Sequence, residues 1–172
     1  MQPHTKDDLS PLPSAQLIRS IIDFLRSIGL RIIERPITSS TVLPGISVAH
    51  GALVVDHAAI KYPGDLLHEA GHLAVIPTVE RAQLHENVGD NGGFEMAAIA
   101  WSYAASLHLG LAPSVVFHQN GYRGGADSLI ENFTQCRYIG VPILTWRGLA
   151  DAPSQDESGT HGYPAMKRWL AE

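Results

Sequence analysis

The sequence predicts one α+β domain, in which a small mixed or antiparallel sheet packs on a core helix and on a second helix that carries a glutamate. Three observations predict this fold. Two β-branched runs flank a turn in "GISVAHGALVVDH" (45–57), apolar residues recur at helical spacing over 14–30, and two later apolar stretches are long enough for helices. Residues 1–13 are expected to be a flexible tail, ahead of a single domain over 14–172.

The first half of the chain contains the predicted sheet. A helix over 14–30 ends at Gly29, and a short strand over 30–37 follows it. The hairpin of 45–57 turns near His50-Gly51. Its second strand, "ALVVD" (52–56), is either an edge strand that pairs with an extended peptide or an ordinary core strand.

Two helices follow the hairpin. The first opens at Pro63-Gly64-Asp65, with Asp65 as its N-cap, and must end before Pro77. Residues 78–93 are predicted to form a loop, and "FEMAAIAWSYAASLHLGL" (94–111) the second helix.

The remaining elements are shorter. We expect a helix at about 127–136, a strand within "YIGVPILTW" (138–146) and a final helix in "YPAMKRWLAE" (163–172). The three tryptophans (Trp101, Trp146 and Trp169) are expected to be packing anchors in the core.

The predicted first helix of this pair contains "HEAGH" (68–72). Residues four positions apart lie on one helical face, so the imidazoles of His68 and His72 can reach a common ion. Glu69 lies one position on, where its carboxylate can hold a water beside that ion and take its proton. Gly71 leaves room for another backbone to come close. The pattern therefore predicts a catalytic zinc, one per chain, with Glu69 as general base.

A hydrolytic zinc site needs a third protein ligand. Glu95 is the one acid in an almost charge-free helix, and small residues around it would let that helix approach the motif helix. An acid in a first helical turn can instead simply complement the helix dipole, so this alternative stays open. Rival acids lie in the loop between the helices (Glu80, Glu86 and Asp90).

Composition excludes several other classes. The net charge of −5, with no cluster of Lys or Arg, disfavours nucleic acid and anionic membranes as partners. The single Cys136 excludes sites that need two thiolates, among them the zinc deaminase pattern. Without a signal-peptide pattern or a long apolar run, the expectation is a cytoplasmic protein.

The motif resembles that of the zincin metallopeptidases whose zinc is bound by two histidines and a glutamate. The matching residues are "HEAGH" and the "FEMAAIAWSYAA" helix with Glu95. The order of elements over about 46–109 is also similar to that of small cytoplasmic bacterial ImmA/IrrE-like peptidases, although their helix-turn-helix companion is missing here. The resemblance implies a zincin-like fold, zinc on His68, His72 and Glu95, catalysis by Glu69, and a peptide or protein substrate.

Donors for the oxyanion of a tetrahedral intermediate are sought in two Gly-rich loops. His118 and Tyr122 lie in the first loop and His161 in the second, and each is a possible oxyanion or substrate contact. For each of them, an ordinary surface residue in a loop is the favoured alternative.

Three hypotheses for the chain follow. The first is a zinc-dependent hydrolase that cleaves amide bonds, and the second is a non-hydrolytic zinc-binding sensor or partner-binding module on the same fold. The third is a metal-free core helix. The carboxylate of Glu69 favours the enzyme, because binding alone does not need it. The oligomeric state and the substrate are left open.

Overall fold

The computed structural model describes residues 14–85, 92–153 and 162–172, and these form a mixed α+β fold. The strands are β1 (Ile32–Glu34), β2 (Ile46–Ala49) and β3 (Ala52–Val55). The helices are α1 (Ser14–Ser27), α2 (Asp65–Ala74), α3 (Thr78–Arg81), α4 (Gly92–His108), α5 (Ala126–Thr134) and α6 (Val141–Trp146). The predicted tail over 1–13 lies outside the described residues.

The three strands form one mixed sheet in the order β1-β3-β2. β3 pairs parallel with β1 and antiparallel with β2, and the β2–β3 hairpin turns at His50-Gly51 as predicted. The prediction of "ALVVD" as an edge strand is wrong, because β3 is the central strand and all four of its residues are buried. The edge beyond the hairpin belongs to β2, which adds one bridge from Ala49 to His85.

α2 and α4 pack against each other through the centre of the domain. A Cβ on Gly71 of α2 would lie 2.8 Å from the carbonyl oxygen of Ala98 in α4 and 3.1 Å from its Cα. No side chain fits in that space, so glycine is required for this approach. The expectation that Gly71 admits a second backbone is confirmed.

The buried Arg81 holds the C-terminal end of α2. Its guanidinium donates hydrogen bonds to the carbonyl oxygens of Leu73 (2.7 Å), Ile76 (2.9 Å) and Ala171 (2.8 Å). Carbonyls in the last turn of a helix lack partners within the helix, and a cation there also complements the helix dipole. Arg81 therefore joins α2 to the end of the chain.

Three further expectations differ from the structure. Asp65 is the first residue of α2 and not its N-cap, which is Gly64. Part of the predicted loop over 78–93 is the helix α3, which starts directly after Pro77; residues 86–91 lie outside the described part. Trp146 is 73% exposed, so it is not a core anchor, unlike the buried Trp101.

The predicted strand within 138–146 is the helix α6. Gly140 precedes this helix with φ 75°, and a Cβ there would lie 2.0 Å from the carbonyl oxygen of Met96. Pro142 then falls in the first helical turn, where its missing N–H costs nothing. A short apolar run does not itself distinguish a strand from a helix, and here the Gly-Pro start determines the outcome.

The predicted final helix over 163–172 is absent from the described residues 162–172. The backbone of this segment bonds other parts of the chain instead: Lys167 N–H donates to the carbonyl of Leu149 (2.8 Å) and Ala171 N–H to that of Ala74 (2.8 Å). Trp169 packs edge-on against Trp101, with ring centroids 5.4 Å apart. Tertiary contacts therefore override the helical pattern of these few residues.

Within the part of the chain that the structure describes, no helix has both the length and the apolar character needed to cross a bilayer.

The Gly71 contact is tested by Gly71→Ala. The added methyl group would force α2 and α4 apart, and such overpacking costs about 1–3 kcal/mol of unfolding free energy. Alanine gains roughly 1 kcal/mol over glycine within a helix, which offsets part of this cost and leaves an expected net loss of up to about 2 kcal/mol. Urea denaturation measures the difference.

Gly92→Ala is the matched control, because a Cβ on Gly92 meets no atom within 4 Å. It should leave stability unchanged or slightly raised. A Gly71→Ala protein as stable as the wild type would contradict the close approach of the two helices.

Candidate metal centre

His68 and His72 project from the same face of α2 into a shared space. Their Nε2 atoms are 3.2 Å apart and their rings are nearly perpendicular, at 87°. Both side chains are largely buried, with 13% and 9% of their surfaces exposed. The apolar residues on the rest of α2 bury the helix in the core, and the two imidazoles face a carboxylate on a neighbouring helix.

That neighbouring group is Glu95, in the first turn of α4. Its Oε1 lies 3.5 Å from His68 Nε2, and its Oε2 lies 3.0 Å from His72 Nε2. Tetrahedral zinc with bonds of 2.0–2.1 Å separates its ligand atoms by about 3.3 Å. The two imidazole nitrogens, 3.2 Å apart, and the nearer oxygen of the Glu95 carboxylate to each of them lie at distances close to this value.

Two alternatives to Glu95 as the third ligand were open: a role in the helix dipole only, and a ligand from the rival acids. Glu95 does lie in a first helical turn, so it complements the α4 dipole as well, but a dipole role alone does not require contact with both histidines. Of the rival acids, Glu80 lies exposed on α3. Glu86 and Asp90 lie outside the described residues. Glu95 is 47% exposed, so the open side of the site faces solvent.

Glu69 lies beside the two histidines. One ligand-type atom from each of His68, Glu69 and His72 falls within 4.8 Å of the other two, a grouping that could hold a metal ion. Burial is the main cause of the raised pKa of Glu69; the charges of Glu95 and Asp65 raise it further, while His72 opposes them. A carboxylate whose pKa is raised in this way is suited to accept a proton near neutral pH.

The protonation states of His68 and Glu95 favour coordination. Burial, followed by the charge of His72, lowers the pKa of His68 to about 4, while Glu95 acts in the opposite direction. His68 is therefore neutral at pH 7 and can offer a nitrogen lone pair. The pKa of Glu95 is lowered, chiefly by its hydrogen bond with His72, so Glu95 is a carboxylate. Metal ligands must be deprotonated, and these two shifts favour the deprotonated forms of His68 and Glu95.

The donor set fits zinc. Two imidazole nitrogens and one carboxylate oxygen are the three protein ligands of one common class of catalytic zinc site, which keeps a fourth position open. The other ring nitrogen of His68, Nδ1, is buried and has no hydrogen-bond partner among residues 14–85, 92–153 and 162–172. Histidines that ligate a metal usually donate a hydrogen bond from this second nitrogen. The described residues supply no acceptor for it at His68.

Tyr122 lies next to the histidines. Its ring centroid is 5.4 Å from that of His68, and its Oη is buried without a hydrogen-bond partner in the described part of the chain. Burial raises the pKa of Tyr122 strongly, and the negative charges of Asp65, Glu95 and Glu69 raise it further. The hydroxyl is therefore a protonated donor close to the carboxylates of the site.

His118, in a later loop, contacts the first residue of α2. Its Nε2 is 2.8 Å from Oδ1 of the buried Asp65, and its ring stacks on that of Tyr62 with centroids 4.0 Å apart. This contact explains why Asp65 does not cap the helix: its carboxylate is engaged by His118. One sequence signal could have placed Asp65 near the candidate site: it lies four positions before Glu69 and therefore on the same face of α2.

The loop that carries Tyr122 has an unusual backbone. Tyr122 and Arg123 both adopt left-handed conformations, with φ of 55° and 52°. Such conformations cost about 1–3 kcal/mol each in residues other than glycine, and they cluster at functional sites. The contact of His118 with Asp65 lies a few residues earlier and anchors this loop. The third candidate contact, His161, lies outside the described residues.

The lowered pKa of His68 predicts a pH-dependent stability for the metal-free protein. The unfolded chain binds a proton on His68 below its ordinary pKa of 6.5, whereas the folded chain does so only near 4. The metal-free protein is therefore more stable at neutral pH, and its free energy of unfolding falls as the pH drops from 6.5 towards 4. The loss from pH 7 to pH 5 should be about 2 kcal/mol.

Urea denaturation of chelator-treated protein at the two pH values measures this loss. His68→Gln removes the titrating group, so its stability should change less over the same range. An equal change in the wild type and the variant would contradict the assignment to His68.

Comparison with known proteins gives no match: no protein-family model, curated protein or solved structure corresponds to the chain. The candidate centre therefore depends on the geometry of this chain alone.

Proposed function

We propose that the protein is a zinc-dependent peptidase on a zincin-like fold, with zinc held by His68, His72 and Glu95. One observation carries the proposal. The two Nε2 atoms lie 3.2 Å apart, and oxygens of the Glu95 carboxylate lie 3.5 Å from that of His68 and 3.0 Å from that of His72. The resemblance of "HEAGH" and of the Glu95 helix to the ImmA/IrrE-like zincins supports the same assignment.

When bound, zinc would polarise the scissile carbonyl and lower the pKa of a water molecule. The side chains of the chain supply the rest. Glu69, buried beside both histidines, accepts a proton from the attacking water and delivers it to the leaving amine. Its position requires no movement of α2, because the helix already holds the carboxylate next to the ligands.

Tyr122 is the proposed donor to the oxyanion. Its ring packs edge-on against that of His68, and its buried hydroxyl has no partner among the described residues, so the hydroxyl is available to a substrate oxygen. His118 acts as a positioning residue, because its Nε2 is engaged by Asp65 and holds the strained loop against α2.

An extended peptide substrate has an available sheet edge. β2 is an outer strand of the sheet, contacts α2, and is bridged at Ala49 to His85, so we propose the remainder of its edge, in place of the central β3, as the strand along which a peptide would pair.

Glu69→Gln tests hydrolysis. The variant keeps the size of the side chain and loses the base, so we expect zinc content equal to the wild type and peptide cleavage reduced by about 100-fold or more. Metal analysis and a fluorogenic peptide library measure the two quantities. A zinc-loaded wild type that cleaves no peptide would contradict the proposal and favour the non-hydrolytic binding module.

Tyr122→Phe tests the oxyanion donor. Loss of one such donor costs about 100- to 1,000-fold in kcat, and KM and zinc content should change little. Tyr138→Phe is a matched control, since that hydroxyl contacts Cys136 and not the site. An unchanged kcat in Tyr122→Phe would assign Tyr122 to packing only.

A further inference from the structure

A partly exposed surface of two aromatic rings and one arginine lies where α6 meets the first turn of α4. Trp146 is 73% exposed at the end of α6, and the guanidinium carbon of Arg147 lies 4.5 Å from the centroid of its ring. The same carbon lies 5.6 Å from the ring centroid of Phe94. We call Phe94, Trp146 and Arg147 the aromatic–arginine platform.

The platform is linked to the candidate site through the first turn of α4. Phe94 directly precedes Glu95 in the first turn of α4, so one end of the platform adjoins a proposed ligand. The beginning of α6 is pressed against α4 at Met96, where Gly140 leaves no room for a Cβ. Because both helices are fixed by this contact, the platform keeps a constant position relative to Glu95.

The positive charge of Arg147 is not neutralised by the described residues. No carboxylate there forms an ion pair with its guanidinium, and its Nε is buried without a hydrogen-bond partner. The neighbouring Arg168 differs, because it pairs with Glu172 at 2.8 Å. The flanking rings hold the guanidinium in a set orientation, which reduces the entropy lost when it binds a ligand.

We propose that the aromatic–arginine platform is a substrate subsite in which Arg147 binds a carboxylate of the peptide. This inference rests on the proposed peptidase function. A planar guanidinium is the side chain best suited to grip a carboxylate through two parallel hydrogen bonds. The carboxylate comes from an acidic side chain or from a free C-terminus, and both present the same group to Arg147.

Peptide binding to the zinc-loaded Glu69→Gln protein tests the subsite without requiring turnover. The probes are short fluorescein-labelled peptides in which one glutamate is moved stepwise through a neutral sequence. Each peptide has a glutamine counterpart and is made with a free or an amidated C-terminus. Fluorescence anisotropy gives the Kd for Glu69→Gln alone and combined with Arg147→Gln. Arg19→Gln, on an exposed residue of α1, is the matched control.

We expect Arg147→Gln to weaken binding of the preferred carboxylate peptide by about tenfold, which is about 1.4 kcal/mol, and to leave its neutral counterpart within about twofold. Arg19→Gln should change neither. Dependence on the glutamate position identifies an acidic side chain, and dependence on the free C-terminus identifies a terminal carboxylate.

Equal weakening of charged and neutral peptides by Arg147→Gln would overturn the proposal and leave an apolar contact surface. Binding that Arg147→Gln does not change, or no binding of any peptide, would also overturn it. These outcomes are separate from those for hydrolysis: cleavage by the wild type that is indifferent to substrate charge retains the peptidase and removes the subsite. Carboxylate binding through Arg147 without any cleavage retains the subsite and removes the peptidase.

Discussion

The close approach of α2 and α4 at Gly71 is the constraint on which the rest of the site depends. Two histidines one turn apart can bind a metal only weakly, and the carboxylate that completes the set comes from another helix. A backbone carbonyl of α4 occupies the space where any other residue at position 71 would place its Cβ. This contact brings the first turn of α4, with Glu95, to both imidazoles.

The same packing determines the electrostatics. Because α2 is surrounded by the core, its polar groups have little water, and burial is the main cause of the shifted pKa values of His68 and Glu69. Both shifts favour the states that a hydrolytic centre needs: a neutral imidazole and a base poised nearer to neutral pH. Glu95 is partly exposed, so this side of the candidate centre is open to solvent.

The sequence predicted the parts of this arrangement that depend on local pattern. The hairpin, the motif helix between two prolines and the Glu95 helix follow from periodicity and from turn residues. The order of strands does not, because pairing of β1 with β3 is a long-range contact that no local pattern specifies. The α6 segment differs from its predicted strand for a local reason, because a short apolar run fits a strand or a helix and the Gly-Pro start decides between them. The bond between Asp65 and His118 joins positions 53 residues apart, and the pattern suggested only a cap.

Zinc binding tests the central claim most directly, namely that one metal is held jointly by α2 and α4. X-ray absorption spectroscopy and metal titration should be compared between the wild type and Glu95→Gln. The account predicts one zinc per wild-type chain, with two imidazole nitrogens and a carboxylate oxygen at about 2.0–2.2 Å, and at least about 100-fold weaker binding in the variant. A protein that takes up no zinc, or a variant that binds it with the same ligands and affinity, would contradict the account.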